Sequence, residues 1–282
     1  MILMIEGIET SAKQLFFKHF QISGNEPGLE LLRAVIAAYS NIPYENITKI
    51  IRKFEAPSRD ERLRSPLEVV SGYVEEHTGG TCFSLTFCLG SILAKAGYRC
   101  YPVMADMKRP NIHCALAVHI GQKRYLVDPG YLLGEPVELS GETVRLTTSF
   151  GEVELRPRSG QRYDLYTIGG SDIKWRYRVK TVPVSQTLFM RYWQDSFSLP
   201  MMNSLQLTKL SENGHLYVRN HHLRLQRSGE KRNENIRAEL ESRIEREFGI
   251  PGDLTASARE HLERMKESWR THGRAGRQMH HR

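Results

Sequence analysis

Long apolar runs are missing from this 282-residue sequence, and no segment approaches the roughly 20 apolar residues needed to span a bilayer. The N-terminal MILMIEGIET has neither the basic flank nor the cleavage site of a secretory leader, so a cytoplasmic protein without membrane attachment is expected. Cysteine is scarce. The four cysteines stand at 82, 88, 100 and 114 without a CxxC pair, which argues against a structural zinc site and favours free thiols over a disulfide framework. Internal repeats are absent, as is any recognisable nucleic-acid motif, although the formal charge is +8. That charge equally suits a phosphorylated cofactor or an acidic protein partner. The 40% hydrophobic and 26% charged composition fits a soluble chain with a substantial core, arranged as one large domain or two to three small ones.

Hydrophobic spacing divides what is there. LELLRAVIAAYS (29–40) and PLEVVSGYVEEH (66–77) read as helices around NIPYENITKI and the charged loop APSRDERLRS. From Cys82 to Gly97 the apolar residues Leu85, Leu89, Ile92, Leu93 and Ala96 fall at helical intervals, with Gly97 as the stop. Between Tyr98 and about Val184, short alternating runs such as HCALAVHI, RYLVD, EVELRP and WRYRVK are broken by Gly, Pro and Asp, which predicts β-structure. The last third mixes strands (HLYVRN, HLRLQR) with an amphipathic helix on Ile236, Leu240, Ile244 and Phe248, then a further helix on SAREHLERMKESW. The ending GRAGRQMHHR reads as a disordered basic tail.

Chemistry gathers around HTGGTCFSLTFCLG. A thiol in the first turn of a helix meets unpaired N–H groups and the positive end of the dipole, and both favour the thiolate. Two preceding glycines allow close backbone approach and offer free N–H groups as oxyanion donors. Taken alone, Cys82 reads first as a small core residue, as Cys88 and Cys100 do. The segment HCALAVHIGQKRYLVD changes that balance. With a turn about Ile120 and Gly121, His113 lies opposite Asp128, their Cβ atoms about 5 Å apart, so the carboxylate can fix the imidazole tautomer. Ala115 and Ala117 share the His113 face and leave room beside the ring, while Leu116, Val118 and Ile120 take the other face. His119 also shares it, without a matching acid. Cys82, His113 and Asp128 together, in that order, point to nucleophilic catalysis.

NIPYENI, GGTCF, HCALAV and YLVDPGY resemble, in order and approximate spacing, the signatures of arylamine N-acetyltransferases, and the resemblance runs from about residue 10 to 251. It implies an α+β, papain-like fold: a helical domain (1–97) carrying the nucleophile, a β-barrel-like domain (98–190) carrying His and Asp, and an α/β lid (191–282). It implies a ping-pong reaction in which Cys82 takes an acyl group from an acetyl-CoA-like thioester and passes it to an aromatic amine, hydrazine or hydroxylamine. His113 would be base and then acid, Asp128 the orienter, and the N–H groups of Cys82 and of a residue near Val103 the oxyanion donors. No metal and no permanently bound cofactor is implied. The chain departs from the family pattern at Thr78, Ser84 and Thr86, where Arg, Glu and Asn are usual, and in VDPGYLLGEP, where Tyr131 keeps an aromatic and Leu132 narrows the pocket. Joint loss of Arg and Glu is expected to avoid an unpaired buried charge.

Relatives with the same three residues act as amide synthases that release a polyketide or peptide chain from a carrier protein, and an acyl or peptidyl carrier protein would suit the basic surface. A thiol hydrolase or transglutaminase-like enzyme shares the Cys-His-Asp order, and a binding protein that kept the fold is a fourth reading. Pro43, Tyr44 and Glu45 read as a structural turn with local pairing. Phe189, Tyr192, Trp193, Phe197 and Met201 read either as core or as an aromatic acceptor pocket. The pairs His221-His222 and His280-His281 lack further ligands at metal spacing.

Overall fold

The computed structural model describes residues 10–24, 26–148, 151–169, 172–211, 214–227 and 230–278. The first part is helical: α1 (Thr10–His19), α2 (Leu29–Tyr39), α3 (Ile47–Glu55), α4 (Pro66–Glu76) and α5 (Cys82–Lys95), with the two-residue strand β1 (Tyr44–Glu45) between α2 and α3. Local chemistry sets these limits. Ser65 accepts from the Glu68 N–H, and the Glu68 carboxylate accepts from the Ser65 N–H, a reciprocal cap with Pro66 in the first turn of α4. α5 has no charged residue before Lys95, and every residue from Cys82 to Leu93 is buried, so it forms the centre of the helical core with Val35, Tyr39 and Val70 around it. Gly97, at φ 91°, turns the chain out of the helix as expected.

The middle of the chain forms an antiparallel sheet that nearly closes into a barrel. Its strands are β2 (Arg99–Asp106), β3 (His113–Ile120), β4 (Lys123–Val127), β5 (Val137–Glu138), β6 (Val144–Thr148), β7 (Gly151–Arg158), β8 (Arg162–Gly169) and β9 (Asp172–Lys180). They run in the order β5-β4-β3-β2-β9-β8-β7-β6. Tyr101, Val103, Ala115, Ala117, Leu155, Leu165 and Tyr177 pack in one cluster inside it. The opposite face of β3, with Leu116 and Val118, packs on the helical core. The room expected beside Ala115 and Ala117 is therefore filled by core residues.

The β3–β4 register corrects the expected hairpin. Ile120 pairs with Lys123 and Leu116 with Val127, so the turn is Gly121-Gln122. Gly121, at φ 58°, takes the turn's first position, where a positive φ is needed. Continued by one residue, this ladder sets Asp128 across from Ala115 rather than His113. A slip of two residues keeps the side-chain face, so His113 and Asp128 become diagonal neighbours on one side of the sheet.

The last part begins with α6 (Gln186–Asp195), a helix the spacing did not predict, capped by Ser185 and crossing the expected boundary at 190. Single-turn helices at Ser196–Ser198 and Pro200–Asn203 lead to β10 (Gln206–Ser211), β11 (Gly214–Arg219), β12 (His222–Arg227) and β13 (Glu230–Asn235). These form a second antiparallel sheet with β1 on its edge, in the order β1-β10-β11-β12-β13. α7 (Leu240–Phe248) and α8 (Gly252–Gln278) cover it, joined in the core by Ile47 and Ile50 of α3. Residues 273–278 continue α8 rather than forming the expected disordered tail, while His280 and His281 lie outside the described residues. Among the described residues, no helix is long and apolar enough to cross a membrane.

Candidate active site

The loop before Cys82 is clamped by backbone on one side. The Glu45 N–H donates to the Gly80 carbonyl (3.0 Å) and the Gly80 N–H to the Pro43 carbonyl (3.4 Å). A Cβ on Gly79 would stand 1.8 Å from the Pro43 oxygen, so this crossing admits only glycine. The Gly80 N–H, expected to be free for an oxyanion, is therefore engaged. The carboxylate of Glu45 accepts from the Thr48 N–H (2.9 Å) and hydroxyl (2.6 Å), which starts α3 and matches the local pairing expected of it.

On the other side of the loop stands Arg64, 8% exposed although it comes from the charged APSRDERLRS segment. Its guanidinium donates to the Gly79 carbonyl (2.6 Å), to the Thr48 hydroxyl (3.3 Å) and to the Glu68 carbonyl. A Cβ on Gly72 would stand 2.5 Å from Arg64 Nη2 and 2.6 Å from Thr78 Oγ1, so guanidinium and threonine share one small space. The change at Thr78 and Ser84 does not leave the loop without a buried cation. A cation still braces the two glycines, supplied from position 64 rather than 78, and Thr48 links it to Glu45. Ser84, another altered position, bonds the Thr81 carbonyl through its hydroxyl (3.1 Å), a local contact within the first turn of α5.

The structure brings Cys82, His113 and Asp128 together. Cys82 opens α5 at 5% exposed, His113 opens β3 at 3%, and Asp128 follows β4 fully buried. His113 Nε2 lies 2.7 Å from Asp128 Oδ2. The second carboxylate oxygen accepts from the Tyr131 N–H (2.8 Å), which fixes the carboxylate's orientation. With Nε2 occupied, Nδ1 is left for the sulfur. The point where a Cβ on Gly130 would stand is 2.5 Å from Cys82 Cβ and 3.2 Å from His113 Cε1, so thiol and imidazole meet across this glycine. The ring of Tyr177 lies 4.9 Å from that of His113 and closes the inner side.

Electrostatics follow from these contacts. A hydrogen bond from the Cys114 thiol, then the hydrogen bond and charge of His113, hold Cys82 well below the usual thiol range, against the opposing effect of burial. Cys114 itself is pushed well up by burial and by the Cys82 charge, so Cys82 is the thiol that ionises. Burial alone would lower His113, but the Asp128 carboxylate and the Cys82 sulfur lift it to about 10. A thiolate–imidazolium pair is the resting state these shifts describe. Cys88 and Cys100, both raised to about 12 chiefly by burial, are core thiols, as expected.

The N-acetyltransferase family model matches residues 28–256, most of the chain. The chain belongs to the N-acetyltransferase family. No curated protein matches the sequence. Among solved structures, it is similar to the arylamine N-acetyltransferase from Mycobacterium abscessus, at 20% identity and a TM-score of 0.78 over 92% of this chain and 97% of that one. The Mycobacterium marinum arylamine N-acetyltransferase in complex with CoA gives 19% identity and 0.74 over 89% and 96%. A Bacillus cereus arylamine N-acetyltransferase with a unique Cys-His-Glu catalytic triad gives 18% and 0.70 over 86% and 100%.

Within this N-acetyltransferase the other candidates divide. Phe189, Trp193 and Phe197 are buried in one cluster with Cys82, Phe83, Phe87, Met104 and Cys114, so the aromatic segment packs directly beside the thiol. Tyr192 accepts a hydrogen bond from Asn111 (3.1 Å), and Met201 packs between the helical and C-terminal cores. Val103 is buried inside the barrel, while its neighbour Met104 is the β2 residue in the Cys82 cluster. Leu132 is buried with the helical core and Tyr131 packs edge-on to Tyr177. His119 lies between Arg99 and Arg124 on neighbouring strands. His221 and His222 face one another at 4.5 Å, and no described group of three His, Cys, Asp or Glu could hold a metal. Sequence reasoning missed Arg64, Lys49, Cys114, Gly130 and Tyr177. Gly130 carried a signal, standing inside YLVDPGY, and Lys49 a fainter one, as a lone charge in ITKII.

Proposed function

We propose that this N-acetyltransferase moves an acetyl group from an acetyl-CoA-like thioester to an arylamine, through a thioester on Cys82. The carrying observation is the buried His113–Asp128 pair, at 2.7 Å, set against a thiol in the first turn of α5. Cys82 is the nucleophile, His113 the base and later the acid, and Asp128 the group that fixes the imidazole. The thiolate attacks the thioester carbonyl, a new C–S bond forms, and CoA leaves as its thiol with the proton from His113. The amine then attacks the acyl-enzyme and gives its proton to His113, and the Cys82 thiolate is released. First-turn N–H groups of α5, which lack intrahelical partners, face the developing oxyanion. The fold shared with arylamine N-acetyltransferases supports the choice of acceptor, and the CoA complex of one of them supports the donor. The carrier-protein reading gains no support from these likenesses.

Intact-protein mass after brief exposure to acetyl-CoA tests this. A single acetyl adduct on the wild type, absent from Cys82→Ala and discharged by an arylamine, is the expected result. Full acetyl transfer by Cys82→Ala would sink the assignment.

A further inference from the structure

Lys49 is the odd residue beside this site. It lies on α3 among Ile47, Ile50 and Ile51, yet its side chain leaves their core and is 6% exposed. Its ammonium donates to the Ser196 hydroxyl (2.5 Å), whose own proton goes to the Trp193 carbonyl. It also stands 4.6 Å over the ring of Phe197, which packs in the cluster containing Cys82. An ammonium has three donors. Here one meets a hydroxyl and one face meets a π-cloud, and among the described residues no carboxylate pairs with it. Burial lowers Lys49 to about 8, opposed chiefly by the negative charge of Cys82, so the lysine stays largely protonated at neutral pH and feels the thiolate. Once Cys82 is acylated that negative charge is gone, and a buried cation without a carboxylate is then costly unless something anionic visits it.

We propose that Lys49 is a specificity-determining residue that binds a carboxylate on the substrate, next to the thioester or amine reacting at Cys82. The ligand class is a small carboxylate borne either by the acyl group, as in a dicarboxylic acyl thioester, or by the arylamine, as in an aminobenzoate. Lys49 supplies the charge, and Ser196 and Phe197 hold the ammonium in place by hydrogen bond and ring face. No bond to Lys49 forms or breaks. This inference rests on Cys82 being the acyl acceptor, so its test includes a readout that does not need acyl transfer.

Cys82 of the full chain is alkylated with iodoacetate and, separately, iodoacetamide, in wild type, Lys49→Met and Lys49→Gln. The glutamine variant keeps a donor for Ser196 without the charge and guards against a folding defect in the methionine variant. The expected result is a fall of about tenfold in the iodoacetate-to-iodoacetamide rate ratio in both variants. An unchanged ratio, or equal slowing of both reagents, would overturn the proposal and leave Lys49 as a strut or a thiolate stabiliser. The source is then assigned by kcat/KM. Succinyl-CoA against acetyl-CoA tests the acyl arm, and 4-aminobenzoate against an uncharged aniline tests the amine arm. The ratio of kcat/KM for the anionic over the neutral substrate should collapse about tenfold in Lys49→Met on one of the two arms; if neither ratio moves, the proposal fails. If no thioester acylates wild-type Cys82, the proposed function fails separately, and the alkylation ratio still decides the anion site.

Discussion

Adding one methyl group at Gly130 probes the geometry of the site directly. A Cβ there would lie 2.5 Å from Cys82 Cβ, 2.8 Å from Cys82 Cα and 3.2 Å from His113 Cε1. Carbon atoms in ordinary contact sit about 3.5–4.0 Å apart, so Gly130→Ala must separate the turn and the thiol by about 1 Å. Cys82 cannot retreat, because α5 is buried from Cys82 to Leu93. The turn must give instead, and the Tyr131 N–H carries the strain to Asp128 and so to the imidazole. A misplacement of about 1 Å at a reacting group costs on the order of 100-fold in rate, and overpacking of this kind about 1–3 kcal/mol in stability. The assay is kcat/KM for acetyl transfer alongside the iodoacetamide rate at Cys82 and the thermal midpoint. We expect kcat/KM to fall by about 100-fold, with a folded circular dichroism spectrum and a midpoint lower by several degrees. A Gly130→Ala enzyme within threefold of wild type would refute the argument from close approach.

Three further outcomes follow from the same contacts. Asp128→Asn keeps the shape but removes the charge that holds the imidazolium, so kcat should fall by about 10³–10⁴-fold with little change in the denaturation midpoint, and a loss under tenfold would count against its orienting role. Arg64→Met strands the Gly79 and Glu68 carbonyls, so urea denaturation should show a loss of about 2–4 kcal/mol. No loss would mean that water replaces the guanidinium. The lowered Cys82 thiol and the His113 value of about 10 bracket the window in which the ion pair exists. The sign is that raising pH adds no thiolate there. The iodoacetamide rate at Cys82 should therefore stay within about threefold from pH 7 to 9, where an ordinary thiol gains about 25-fold, and a rise of that size would remove the ion pair from the account.

Much of this site could be read from the chain because its parts announce themselves locally. An uncharged helical run after Gly-Gly-Thr places Cys82 at a helix start, and two alternating segments around one glycine place His113 and Asp128 on one face. The true register differs by two residues from the expected one because Gly121 holds the first turn position rather than the second, and period-two alternation cannot distinguish an even slip. Arg64 was not legible, and Lys49 only faintly so, for a different reason. A lysine in ITKII and an arginine in APSRDERLRS carry no mark of their neighbours: Lys49 meets Ser196, 147 residues onward, and Arg64 meets Thr48 and Gly79, 16 and 15 residues away on separate segments. The helix α6 was hidden by its composition, since Phe189, Tyr192 and Trp193 serve a strand as readily as a helix.

The two-residue strand β1 joins two of the protein's largest parts. On one side, Tyr44 bridges to Gly80, in the loop that delivers the thiol; on the other, it pairs with Thr208 in the second sheet. Asn46, immediately after it, accepts from the N–H of Gln206, 160 residues onward, and donates to the carbonyls of Met201 and Ser204. Truncation before β10 would leave this strand without its outer neighbour and loosen the nucleophile's own support. The C-terminal sheet is thus a foundation for the reaction centre, and insertions should be borne at its other margin on β13, far from the margin that β1 occupies.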